Sequence, residues 1–147
     1  MRAPAQVRFE RLQKLLELVN FETEKGAVIV VEGAKDKDSL RSMGVRGRIA
    51  CLQSSRRNTV EFAERFGGER SVVVLTDFDR QGVFLAHRLS RILNSQNVHA
   101  NLVLWRELRS LTRSDLRSIE ELPRLYDRLQ AEVQFHRSPI ADNRRHM

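Results

Sequence analysis

The chain has 147 residues, 41% hydrophobic and 31% charged, with a formal net charge of +7. That length suits one domain with one real core, and seven Gly and three Pro speak against a fibrous or disordered chain. No apolar run approaches the roughly 20 residues that span a bilayer, and Cys51, the only cysteine, excludes an internal disulfide and a multi-cysteine zinc site.

The opening MRAPAQVRFERLQ carries no apolar segment of the secretory kind, so a reducing, cytoplasmic setting is the expectation. VRFERLQKLLELVNFETEKG follows, with apolar residues at 9, 12, 15, 16, 18 and 19, the spacing of a helix from about 6 to 22. After Gly26, AVIVVEG is a short β-branched run that reads as a strand buried on both faces. Asp36 or Asp38 is placed to cap a short helix through SLRSMG, which Gly44 ends. RIACLQ reads as the second strand, and Asn58 or Thr59 as the start of a helix through VEFAERF, closed by Gly67 and Gly68.

SVVVLTD is the third strand and the strongest in the chain. From Gly82, VFLAHRLSRIL predicts a helix ending at Asn94, and VHANLVLW a fourth strand. IEELPRLYDRLQAEVQF predicts a helix started or interrupted near Pro123, docking by Leu122, Leu125, Leu129 and Val133. The alternation predicts an α/β fold of the Rossmann-like kind, a mostly parallel sheet of about four strands with helices on both faces. Four parts follow: an N-terminal helical extension (1–25), a core (26–110), a C-terminal helical extension packed on it (111–135), and a flexible polar tail (136–147).

In open parallel sheets functional groups collect beyond the carboxyl ends of the strands. Two segments put acids there: VIVVEGAKD, where Glu32 ends a strand and Gly33 permits a close turn, and VVVLTDFDRQG, with Asp77 at the strand end and Asp79 just beyond. If the two strands are neighbours, three carboxylates converge, which is costly unless a cation compensates them or one takes a proton. Hard oxygen ligands favour Mg²⁺, with Mn²⁺ as a substitute. An Asp after a strand also forms turns, and Asp79 is placed to cap a helix beginning near Arg80. The P-loop and dinucleotide glycine patterns are absent. The four His show no second ligand at zinc spacing and read as structural.

The cations are 22 Arg against 4 Lys, and Arg41, Arg46, Arg48, Arg56 and Arg57 fall in a stretch without an acid. That stretch is either a solvated face or a patch that attracts a polyanion.

VVEGAKD followed by VVVLTDFDRQG resembles the Toprim domain, the module shared by topoisomerases, bacterial-type primases, RecR proteins, OLD-family nucleases and 5S rRNA maturases. That family carries a glutamate and a glycine after its first core strand and an Asp-x-Asp after its third; here these are Glu32, Gly33, Asp77 and Asp79, with Gly82 at the glycine that follows. The match spans roughly residues 26–105 and is most similar to small free-standing Toprim proteins and the Toprim half of the maturases. The resemblance implies Glu32 as general acid/base or metal ligand, Asp77 and Asp79 as Mg²⁺ ligands, and Asp36 in support or on a second ion. Lys35 and Arg80 would offset phosphate charge, and Arg41, Arg46, Arg48, Arg56 and Arg57 would contact the backbone of RNA or DNA.

Val83 stands where many members have Glu or Arg, and the single Tyr126 lies in a helical segment, which weakens a topoisomerase-like reading. The resemblance therefore implies a Mg²⁺-dependent phosphoryl-transfer protein acting on nucleic acid, a nuclease of the RNA-maturation or DNA-repair kind. Its rival is a non-catalytic nucleic-acid-binding or partner subunit, and a weaker third is an enzyme acting on a small phosphorylated nucleotide. A homodimer or a larger nucleic-acid-processing complex is compatible with either of the first two.

Overall fold

The computed structural model describes residues 3–52, 58–112 and 116–146, with residues 136–146 described by their backbone alone. The first helix, α1 (Ala5–Glu24), turns Phe9, Leu12, Leu15, Leu16 and Val19 inward at the spacing of one helix face. Strand β1 (Val28–Val31) follows and is buried at all four positions, as an inner strand covered on both faces must be. Helix α2 (Ala34–Ser42) then returns along the sheet. Gly44, at φ +90°, closes the end of α2 in the left-handed conformation that a side chain resists. Strand β2 (Ile49–Cys51) and helix α3 (Thr59–Glu64) come next, and the Asn58 side chain caps α3 by accepting from the Val60 N–H at 2.8 Å.

Strand β3 (Ser71–Val74) leads to α4 (Arg80–Ser95), whose buried face is Gly82, Ala86, Leu89 and Leu93. Strand β4 (His99–Asn101) is three residues long, and α5 (Val103–Thr112) starts directly after it. The strand expected through VHANLVLW is thus corrected to a strand followed by a helix. The Asn101 side chain accepts from the Val103 N–H at 3.0 Å and starts the helix, and Leu104, Trp105 and Leu108 turn inward from it. A short 3-10 helix (Ile119–Glu121) precedes α6 (Leu122–His146). Leu122, Leu125, Leu129 and Val133 are the buried face of α6. Its backbone remains helical through His146, past the residue 135 where the sequence reading stops the helix.

All strands are parallel, in the order β2-β1-β3-β4. Right-handed crossovers place α2 on one face, because β1 to β2 runs one way along the sheet, and α3 and α4 on the other, because the later crossovers run back. The packing agrees: α3 lies on α4, whereas α1 lies on α5 and α6, and α2 on α6 and the 3-10 helix. The α1 helix is therefore a layer of the core rather than an appendage. Arg8 is buried with it and donates to the Leu111 carbonyl at 3.3 Å, near the C-terminal, negative end of α5. Tyr126 packs edge-on to Phe9 at 5.1 Å, the packing role expected for it. Among the described residues no helix is long and apolar enough to cross a membrane.

The strand order reverses direction between β1 and β3, so the carboxyl ends of these two neighbours flank a topological switch point, where open α/β sheets bind ligands.

Candidate functional site

Glu32 is the first residue beyond β1, and Asp77 lies three beyond β3, whose ladder continues through the Leu75 N–H donating to the Val30 carbonyl at 2.8 Å. Parallel pairing of Val30 with Val74 brings the two ends level. There the Asp77 N–H donates to Glu32 Oε2 at 2.7 Å. Asp36, on the first turn of α2, is 7% exposed, and its carboxylate accepts from the Gly33 N–H at 3.0 Å. Gly33 is the cap residue of α2 and Asp36 its partner in the first turn, so the expected cap at Asp36 or Asp38 moves to Gly33.

The loop from Thr76 to Gly82 is fastened from several sides. The Thr76 hydroxyl donates to the Gly82 carbonyl at 2.7 Å, and the Thr76 carbonyl accepts from Trp105 Nε1 at 2.8 Å. Asp79 caps α4, accepting from the Gly82 N–H at 2.8 Å. The first turn of α4 rests on the backbone of Asp77 so closely that a Cβ on Gly82 would sit 2.0 Å from the Asp77 carbonyl oxygen. Only glycine fits there.

The 3-10 helix closes the site. The Ile119 N–H donates to Asp77 Oδ1 at 3.0 Å, and the Phe78 N–H donates to the Arg117 carbonyl at 2.7 Å. The Ser39 hydroxyl of α2 donates to the Glu120 carbonyl at 3.3 Å. Glu120 thereby joins the acids at the strand ends. Sequence reasoning missed it, because nothing in SIEEL signals that a distant segment docks on the strand ends.

The electrostatics follow from crowding. Burial, and then the Asp77 and Asp79 charges, push Glu32 up to about 7 against the opposing pull of the Asp77 N–H. Asp36 is pushed up to about 6 by burial and by the Asp77 and Glu120 carboxylates, while the Gly33 and Glu120 N–H groups hold it down. Asp77 is also raised, by burial first, with the Ile119 N–H and Glu32 opposing. Both members of the pair are thus raised, by burial first, and the pair favours taking up a proton. Every neighbouring charge among these causes is another carboxylate.

The four expected metal ligands are therefore placed unequally. Glu32 and Asp77 meet, Asp36 lies beside them, and Asp79 is exposed with one oxygen committed to the start of α4. Among the described residues no group of three or more His, Cys, Asp or Glu side chains is placed so that it could hold a metal ion. Lys35 is exposed on the first turn of α2, and Arg80 exposed at the first residue of α4.

The basic stretch does not gather at this end of the sheet. Arg48 precedes β2 and makes a two-pronged pair with Glu69 at 2.9 and 3.0 Å, and Arg46 reaches Glu24 at 3.5 Å. Arg41 donates to the carbonyls of Val45 and Gly47 at 3.1 and 2.6 Å. These contacts lie at the amino ends of the strands, opposite the carboxylates, because α2 carries the chain back before β2 begins. Arg56 and Arg57 lie outside the described residues. His87 packs edge-on to Trp105 at 6.2 Å, and His99 is exposed on β4, so neither joins the acids. Burial raises the thiol of Cys51, which favours its neutral form.

No family model matches the chain. A UPF0292 protein of Thermococcus kodakarensis is 35% identical over 120 residues, covering 82% of this chain and 89% of the relative. UPF0292 proteins of Pyrococcus furiosus and Methanosarcina acetivorans are 35% and 34% identical, covering 82% and 78% of this chain and 88% and 79% of their own lengths. A solved protein structure from Aquifex aeolicus superposes with a TM-score of 0.59 at 22% identity, covering 75% of this chain and 96% of that one, a likeness of fold.

Proposed function

The chain belongs to the UPF0292 family, and on that premise we propose that it is a Toprim-type, Mg²⁺-dependent phosphoryl-transfer protein acting on nucleic acid, a nuclease of the RNA-maturation or DNA-repair kind. The observation that carries the reading is the meeting of Glu32 and Asp77 at the switch point, among further carboxylates. Carboxylates crowded in this way are stabilised by a bound cation.

The donor chemistry suits a hard divalent ion: carboxylate oxygens of Glu32 and Asp77, with Asp36 and Asp79 at the starts of the two helices that follow the strands. Mg²⁺, or Mn²⁺ in its place, would neutralise charge on a phosphodiester when bound there. The chain's own groups do the rest. The Asp77 N–H orients Glu32, which would serve either as a ligand of the ion or, standing off it, as general acid/base. The Ile119 N–H fixes Asp77, and Gly82 lets α4 approach closely enough to hold the loop. The proposed setting is cytoplasmic, with RNA or DNA backbone as partner, in a homodimer or a larger nucleic-acid-processing complex.

A cleavage assay on end-labelled structured RNA, single-stranded DNA and duplex DNA, with Mg²⁺ or Mn²⁺, tests this. Wild type should give metal-dependent products that D77A and E32Q lose. Products from D77A at the wild-type rate would overturn the assignment. The commitment of an Asp79 oxygen to the Gly82 N–H favours a second reading, a non-catalytic nucleic-acid-binding subunit. That reading predicts binding without cleavage.

A further inference from the structure

Beside the Asp79 loop lies a cleft lined by Phe78, Asp79, Arg80, Arg109, Leu116 and Arg117, and by neither Glu32 nor Asp77. Its three arginines come from three segments: the start of α4, the last turns of α5, and the approach to the 3-10 helix. Each is exposed, and among the described residues none forms an ion pair. Three other exposed arginines are neutralised, Arg11 by Glu107, Arg46 by Glu24 and Arg48 by Glu69. Arg65, Arg91 and Arg106 are exposed and also form no ion pair among the described residues; Arg80, Arg109 and Arg117 differ in sharing one cleft. Three unneutralised guanidinium groups face a single acid, Asp79, in this cleft. Like charges held together this way are stabilised by an anion, and a guanidinium fork matches phosphate oxygens.

The cleft is tied to the carboxylates through short connections. The Arg109 guanidinium lies 5.8 Å over the Trp105 ring, and Trp105 Nε1 holds the carbonyl of Thr76, the residue before Asp77. The Arg117 carbonyl accepts from the N–H of Phe78, the residue after Asp77. Arg80 follows Asp79 directly. We propose that Arg80, Arg109 and Arg117 form a subsite for a substrate phosphate flanking the one at the carboxylates, an inference that rests on the phosphoryl-transfer reading above. The Asp79 loop then joins two unlike halves of one site: acids for the reacting phosphate, arginines for its neighbour.

Trp105 is the only tryptophan, so its emission reports on a ligand at Arg109. Without divalent cation, wild type is titrated with inorganic pyrophosphate and with a short single-stranded oligonucleotide, 5′-phosphorylated or 5′-hydroxyl. Saturable binding is expected, weakened about ten-fold in R80Q and in R117Q and further in the double variant, as loss of charge-assisted hydrogen bonds requires. R91Q, about three turns further along α4 and exposed, should bind as wild type. Preference for the 5′-phosphorylated strand identifies a terminal phosphate as the ligand, and equal binding identifies an internal diester. Urea titration of each variant checks that it is folded.

Equal affinities in wild type and R80Q/R117Q overturn the subsite, as does metal-dependent cleavage whose KM is unchanged in the double variant. Arginine-dependent binding without cleavage by wild type overturns the phosphoryl-transfer reading and leaves the cleft as an anion site.

Discussion

The Asp77 N–H donates to Glu32 Oε2 at 2.7 Å, joining the ends of two neighbouring parallel strands that are 45 residues apart in sequence. One carboxylate is thus held by the backbone of the other. The Asp77 N–H holds Glu32 and the Ile119 N–H holds Asp77, which offsets part of the cost of placing two carboxylates together.

The first prediction concerns pH. Glu32 titrates at about 7 in the folded protein against an ordinary 4.5, and Asp36 at about 6 against 3.8. Between those values the folded state binds more protons than the unfolded one. Their stabilising contribution is complete below the ordinary values and is lost as pH rises through about 6 and then about 7. Urea midpoints of the metal-free protein should therefore fall between pH 5 and pH 8, and E32Q should flatten that fall relative to wild type.

E32Q should also stabilise the metal-free protein at pH 8, since Gln still accepts from the Asp77 N–H and carries no charge. Discounted for solvent screening, the gain is about 1 kcal/mol. The same variant should lose metal-dependent cleavage by a factor on the order of 10² to 10⁴. Gain of stability with loss of function separates a site residue from a structural one.

Gly82→Ala should destabilise by about 3 kcal/mol, at the upper end of overpacking costs, because its Cβ would meet backbone 2.0 Å away and not a movable side chain. The urea midpoint measures this. A midpoint within error of wild type would contradict the close approach of α4 to Asp77.

Trp105→Phe removes the N–H that holds the Thr76 carbonyl and leaves that buried oxygen without its donor, at a cost of about 1–3 kcal/mol. R48Q, by contrast, removes an exposed pair and should cost less than about 1 kcal/mol of stability. Equal losses in both variants would contradict that contrast.

Much of this was legible in the residues. The β-branched runs before Glu32 and Thr76, and the helical spacing of α1 and of Leu122, Leu125, Leu129 and Val133, report burial directly. Convergence of Glu32 with Asp77 required only that β1 and β3 be neighbours. The segment after Asn101 was not legible as a helix, because a short apolar run such as NLVLW suits strand and helix alike, and the distinction comes from the Asn101 cap and the packing of α5 on α1. Glu120 was hidden because its place depends on long-range docking of the 3-10 helix. The end of the sheet that the arginines occupy was not legible, because sequence spacing does not tell which end a loop occupies, and α2 carries Arg46 and Arg48 to the end away from the acids. Arg109 and Arg117 come to the site from the two sides of residues 112–116, far from the motif in sequence.

The most direct test of the central claim is Mn²⁺ binding to the metal-free protein, read by loss of the free-ion electron paramagnetic resonance signal, with Mg²⁺ as competitor. Wild type should take up Mn²⁺ and release it to Mg²⁺, and E32Q and D77N should each bind at least about ten-fold more weakly. Unchanged Mn²⁺ affinity in both variants, or no uptake by wild type at millimolar Mn²⁺, would contradict a cation site at the ends of β1 and β3.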